Sequence, residues 1–130
     1  MGEHAEVEIV RTFDPVTLAS SATVMMAARH MRSRHVSAVM ITEGDAKLVG
    51  IFTERDAISR VLAEGMDPTA TTLAAVMTDN PETVSPQDTA EEIVRVMRDA
   101  QCRHLPILQE GKVVGIVSRG TFRDIAGPAA

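Results

Sequence analysis

The sequence predicts an α/β protein of the α+β type, two pseudo-symmetric β-α-β-β-α repeats packed sheet to sheet. Three observations predict it. Sliding the chain by 66 residues sets Thr17 on Thr83, Thr23 on Thr89, Arg29 on Arg95, Met31 on Met97, Arg32 on Arg98 and Ile41 on Ile107. After a loop one residue shorter, an offset of 65 sets Lys47, Val49, Gly50 and Ile51 on Lys112, Val114, Gly115 and Ile116. Both halves also show the same order of patterns: an extended entry, a helical period, two apolar runs around a turn, and a second helical stretch. Finally, 130 residues at 45% hydrophobic are one domain's worth and enough for a core.

Each element follows from local chemistry. Thr17-Leu18 and Thr83-Val84 are short extended entries, the second followed by Ser85-Pro86. Helices are predicted over 22–34 and 88–100. Val24, Ala27, Ala28 and Met31 face inward in the first, and Ala90, Ile93, Val94 and Met97 in the second. Asp88 or Ser85 caps the second helix, whose positive end suits Glu91 and Glu92. Hairpins follow: 36–41 with 48–52 around Glu43-Gly44-Asp45-Ala46-Lys47, and 105–108 with 113–117 around Gln109-Glu110-Gly111-Lys112. Each leads into a further helix, over 54–62 and 119–125. The sequence divides into repeat 1 at 7–63, a linker with a short helix (73–77) at 64–78, and repeat 2 at 79–126, forming one module.

Composition narrows the function. Eighteen acidic against thirteen basic residues, a net charge of −5, and only three aromatics disfavour a nucleic-acid partner. No apolar stretch approaches the ~18 residues of a membrane span, and the acidic start Met1-Gly2-Glu3-His4-Ala5-Glu6 has no signal-peptide pattern. Glu6 also spoils a myristoylation signal at Gly2. A single cysteine, Cys102, forms no internal disulfide, so a reducing cytoplasmic setting is expected.

Leu48-Val49-Gly50-Ile51-Phe52-Thr53-Glu54-Arg55-Asp56 and Val113-Val114-Gly115-Ile116-Val117-Ser118-Arg119-Gly120-Thr121 are the most specific segments. With Leu105-Pro106-Ile107 and Ala75-Val76-Met77-Thr78, and in this order twice, the chain resembles the tandem cystathionine-β-synthase (CBS) domain pair, or Bateman module, from about Val7 to Ile125. The resemblance implies a non-catalytic regulatory module. It would bind an adenine nucleotide (AMP, ADP, ATP or NAD, in some members S-adenosylmethionine) in the cleft between repeats and signal to an effector protein in trans. It also implies a homodimer. The alternative is a structural or dimerisation module whose site is degenerate and empty.

In that family the site carries Thr/Ser-x-x-Asp where the last strand meets the last helix. The spacing makes chemical sense. A helix start offers free amides to phosphate, Thr53 supplies a hydroxyl, and Asp56 falls on the same side of the first turn. A carboxylate there accepts from both ribose hydroxyls. The same spacing is also that of a capping box. In repeat 2 Ser118 is kept, but Thr121 replaces the acid behind Gly120, so Ser118, Thr121 and Thr83 mark a weaker second site. Met40 stands where the family usually has proline, as at Pro106, and bears on strand geometry. The resemblance further implies that Arg103 and His104 meet phosphate, opposite the uncharged Ser37 and Ala38 of repeat 1. Arg55 and Arg119 are secondary phosphate candidates, and the backbone of Val16 and Thr17 faces adenine.

Other constellations carry less. Cys102 and His104 share a strand face, but nothing nominates an orienting group or oxyanion site, so a buried, inert thiol is expected. His30, Arg32, Arg34 and His35 complement the negative end of the first helix. No Cys/His/Asp set has metal-ligand spacing, and neither a metal nor a catalytic cofactor is expected. Met31 and Met97 read as core, while Met25 or Met26 points outward toward a dimer partner.

Overall fold

Repetition in the sequence becomes repetition of hydrogen bonds. The computed structural model describes residues 7–121, with the side chains of Val7 and Thr121 left out. The elements run β1 (Val7–Thr12), β2 (Thr17–Leu18), α1 (Val24–Arg34), β3 (Ala38–Glu43), β4 (Lys47–Thr53) and α2 (Glu54–Asp56, continued by a π-helix Ala57–Leu62). Then come α3 (Leu73–Val76), β5 (Thr78–Asp79), α4 (Ala90–Ala100), β6 (His104–Gln109) and β7 (Lys112–Thr121). They make two compact bodies. The first holds Pro15–Pro81 with Glu110–Val113; of the described residues the second holds Val7–Asp14, Glu82–Gln109 and Val114–Thr121.

In the first body β2 runs parallel to β3, and β4 lies antiparallel to both β3 and β5. Helix α1 starts because the Thr23 hydroxyl accepts from the Met26 amide at 3.2 Å. Its first amides reach the linker instead of water: Val24 N–H donates to the Thr71 carbonyl at 2.9 Å and Met25 N–H to Pro68 at 3.0 Å. Val24, Ala27 and Met31 face the core, whereas Ala28 is exposed, one position off the buried stripe. They pack with Val16, Val39, Ile41, Phe52, Val61, Leu73 and Val76. Met26, at 46% exposure, is the outward member of its methionine pair.

The second body repeats this plan around Val84, Ile93, Met97, Leu105, Ile107 and Val117. Val84 bridges Ile107 in parallel, as Leu18 does Ile41. Helix α4 is capped by neither Asp88 nor Ser85. Thr89 accepts from the Glu92 amide at 3.1 Å and Glu92 accepts from the Thr89 amide at 2.8 Å, a complete capping box. Asp88 closes the preceding turn, accepting from the Ser85 amide at 2.9 Å. The helix therefore begins two residues later than the apolar pattern alone implies, and Ala90 is exposed. Both long helices end on a left-handed residue with a side chain, His35 (φ 56°) and Gln101 (φ 57°).

Single residues explain where the copies diverge. The Met40 amide donates to the Val16 carbonyl at 2.9 Å, a rung that Pro106 cannot make, so the first copy has a paired strand where the second has one bridge. The second hairpin turns on Glu110 and Gly111, both at positive φ (54° and 80°), the type I′ geometry that matches strand twist. Gly50 and Gly115 let another strand cross closely. A Cβ on Gly50 would lie 2.5 Å from Met77 Sδ and 2.9 Å from the Thr78 carbonyl; one on Gly115 would lie 2.5 Å from the Thr12 carbonyl.

The largest departure lies at the hairpin ends. Helix was expected over 119–125, but β7 continues as strand to Thr121, pairing Arg119 with Ile9 and Thr121 with Val7; residues 122–125 lie outside the described residues. In repeat 1 the corresponding chain turns helical at Glu54 because Asp56 completes a cap. The partner segments follow suit. Val7-Glu8-Ile9-Val10, rich in β-branched residues, is strand, whereas its repeat counterpart Leu73-Ala74-Ala75-Val76 is helix. Among the described residues no helix is long and apolar enough to cross a membrane.

Three substitutions check these close approaches and caps. Gly115→Ala drives a Cβ into a backbone carbonyl and should cost about 2 kcal/mol in urea unfolding. Gly50→Ala should cost somewhat less: Met77 Sδ can swing away, and the backbone clash that stays, with the Thr78 carbonyl at 2.9 Å, is milder than that at Gly115 (2.5 Å). Gln101→Gly removes left-handed strain and should raise stability by about 0.5 kcal/mol, the relief exceeding the added entropy of the unfolded chain.

Candidate functional site: the end of strand β4

The junction of β4 and α2 gathers most of the first body's candidates. Ala38 stands opposite Thr53 on the ladder, and the Ser37 carbonyl accepts from the Glu54 amide at 3.0 Å. Held there, Thr53 and Asp56 bond reciprocally. The Thr53 amide donates to Asp56 Oδ2 at 3.0 Å and the Asp56 amide donates to Thr53 Oγ1 at 3.1 Å. The capping box is thus formed, yet each side chain keeps capacity. The Thr53 hydroxyl still has its proton to give, and Asp56 Oδ1 lies outside the box. Both residues are half-buried, so these groups are partly desolvated but reachable.

The remaining first-body candidates are less concentrated. Val16 is 6% exposed, and its carbonyl already accepts from Met40. Thr17 is exposed on β2 and pairs with Met40. Arg55 is exposed, its carbonyl taking the Ser59 hydroxyl at 2.9 Å.

In the second body the structure joins Arg103 to Arg119. The Arg119 amide donates to the Arg103 carbonyl at 2.9 Å, the counterpart of the Glu54–Ser37 bond. The Arg103 guanidinium in turn donates through Nε and Nη2 to the Arg119 carbonyl, both at 3.4 Å. His104 begins β6 half-buried, Ser118 is half-buried opposite Val10, and Thr83 is half-buried beside the Val84 bridge. Thr121 ends β7.

Two signals went unread in the sequence. Arg60 stands four residues after Asp56 on the same helical run, with Nε 3.8 Å from Asp56 Oδ1, an i,i+4 pair visible from spacing alone. Thr121-Phe122-Arg123-Asp124 also spells the Thr-x-Arg-Asp of Thr53-Glu54-Arg55-Asp56, three residues beyond the offset that aligns the hairpins. Its last three residues lie outside the described residues.

Comparison with known proteins agrees with the repeat. A family model for the CBS domain matches residues 6–63 and again 73–126. The chain belongs to the CBS-domain family. As a tandem CBS pair it is 37% identical over 111 residues to the CBS domain-containing protein CBSCBSPB2 of Arabidopsis thaliana, covering 85% of this chain and 21% of that protein. The chain therefore spans about a fifth of that relative's length. Among solved structures, the CBS-domain containing protein ATU1752 from Agrobacterium tumefaciens is 28% identical with a TM-score of 0.74, covering 81% of this chain and 78% of that one. CBS domain protein PAE2072 from Pyrobaculum aerophilum, complexed with AMP, is 26% identical with a TM-score of 0.74, covering 84% and 87%. The CBS domain pair of protein MJ0100, in complex with 5′-methylthioadenosine and S-adenosyl-L-methionine, is 26% identical with a TM-score of 0.75, covering 89% and 92%.

Among the described residues, no group of three or more His, Cys, Asp or Glu side chains is placed to hold a metal. Cys102 of the CBS pair is half-buried rather than fully buried, and burial, ahead of the nearby Glu82 charge, pushes its thiol above the ordinary value against the bond from the His104 backbone. The folded chain therefore holds this proton more tightly than the unfolded chain. Its contribution to stability is full below the ordinary thiol value and falls as pH rises past it. Iodoacetamide should accordingly alkylate Cys102 more slowly in the native protein than in the urea-unfolded chain at pH 8, read by mass spectrometry.

Proposed function

We propose that this CBS pair is a non-catalytic regulatory module that binds an adenosine-containing nucleotide at Thr53 and Asp56. The observation that carries the reading is the paired spare capacity at the β4–α2 junction. Thr53 offers a hydroxyl proton suited to phosphate, and Asp56 Oδ1 offers an acceptor suited to a ribose hydroxyl, each fixed by the bond it already makes. The AMP complex of PAE2072 and the adenosyl ligands of MJ0100 support the ligand class. Ser37, Ala38, Val16 and Thr17 are proposed to flank the nucleoside, with Arg55 nearby. Arg103, His104 and Arg119 are proposed as phosphate contacts on their charge and donor chemistry.

Ser118, Thr121 and Thr83 are proposed as a weaker second site. Binding acts on a partner only through unequal affinity for two states of the module. The output is proposed to reach an effector protein in trans, from a homodimer in the cytoplasm.

A second reading is a structural module with an unused site. It is favoured by the engagement of both Thr53 and Asp56 in the cap, which alone would account for their presence.

Calorimetric titration with AMP, ADP, ATP, NAD and S-adenosylmethionine separates the two readings. At least one should bind. Asp56→Asn, which keeps an oxygen for the Thr53 amide, should weaken that ligand by about tenfold, the loss of a charge-assisted hydrogen bond. Binding by none of the five would establish the structural reading instead.

A further inference from the structure

Arg60 lies outside every motif that marks this site, yet its side chain reaches three polar groups on two elements. Its Nη1 donates to the Val76 carbonyl at 3.0 Å and to the Met77 carbonyl at 3.2 Å. Its Nε stands 3.8 Å from Asp56 Oδ1, the oxygen that the capping box leaves over. One planar guanidinium thus spans two elements, the carbonyl end of α3 and the acid of α2. Its fork geometry is rigid, so anchoring one nitrogen on the carbonyls fixes where the other faces the carboxylate. Asp56 is 15% exposed at its side chain, so this charge acts on it with less screening than at an open surface.

The helix geometry serves the same end. From Ala57 to Leu62 the backbone is a π-helix, with Ala63 N–H donating to the Ile58 carbonyl at 2.9 Å. Such a widened turn is uncommon and recurs at functional sites. Here it carries Arg60, which ties Asp56 to the carbonyls at the end of α3. The repeat offset places Ile125 at the corresponding position of repeat 2, so the sequence has no equivalent cation there.

We infer that Arg60 is a positioning residue. It holds the Asp56 carboxylate in the orientation that leaves Oδ1 presented to a ligand hydroxyl, and locks that orientation to the end of α3. The inference rests on the nucleotide reading above, but it has a readout that needs no ligand. Without Arg60, Asp56 turns more freely and the Thr53 amide loses a steady acceptor.

The test uses the full chain with Arg60→Met, Arg60→Lys and Asp56→Asn, singly and combined. By NMR hydrogen exchange, Arg60→Met should speed the Thr53 amide several-fold relative to amides of α1. By calorimetry with AMP, Arg60→Met should weaken binding about tenfold, and Arg60→Lys by clearly less. In the Asp56→Asn background, Arg60→Met should add little further loss. Unchanged Thr53 exchange, with faster exchange only at Met77, whose amide donates to Leu73, would reduce Arg60 to a brace for α3 and overturn the inference. So would equal losses of AMP affinity with and without Asp56. Failure of the unsubstituted protein to bind AMP counts against AMP as the ligand and not against Arg60, whose role the Thr53 exchange then decides.

Discussion

A strand can turn into a helix only where the first helical amides find acceptors, and at Thr53 and Asp56 the chain supplies them from its own side chains. That reciprocal pair ends β4, starts α2, and sets the hydroxyl and carboxylate at one point of the first body. Much else depends on it. The π-helix that follows carries Val61 into the core and Arg60 onto the end of α3. α3 in turn closes against the start of α1, with Leu73 N–H donating to the Ala22 carbonyl at 2.8 Å. Cap and proposed site share one set of bonds here, because a capping group that uses one lone pair still has another to offer.

The second body shows the same backbone plan without that constraint. The bond from Arg119 to the Arg103 carbonyl matches the bond from Glu54 to Ser37, so both chains leave the hairpin in the same way. With Gly120 and Thr121 in place of Arg55 and Asp56, no carboxylate stands three residues on to turn the chain, and β7 continues beside β1. Two weak preferences reinforce each other there. Val7, Ile9 and Val10 favour strand, and an unturned β7 gives them an edge to pair with. In the first body Ala74 and Ala75 favour helix, and a capped α2 gives that helix an arginine to end on.

Much of this was legible in the residues. The offset of Gly50 from Gly115, the apolar stripes of α1 and α4, and the hairpin runs all reflect short-range rules of period and turn chemistry. Thr53-x-x-Asp56 could be read both as a cap and as a ligand site; the geometry shows the cap, with Asp56 Oδ1 outside it. Less legible were features that depend on competition. The spacing pointed to Asp88 or Ser85 as the cap of α4, but the Asp88 carboxylate is taken by the turn at Ser85 and the cap falls on Thr89. The end of β7 could not be read from 119–125, because the deciding partner, β1, lies more than a hundred residues earlier.

By itself, then, the sequence determined the repeat, its long helices and hairpins, the family, and the residue types at the β4–α2 junction, all set by local pattern and spacing. Only the tertiary structure decided which oxygen of Asp56 the cap leaves over, that Arg60 stands against it while bonding the end of α3, and that one copy of a repeated segment is strand while the other is helix. The physical reason is the same in each case. Local preferences of a few tenths of a kcal/mol leave the choice open, and hydrogen-bond partners brought in from distant parts of the chain settle it.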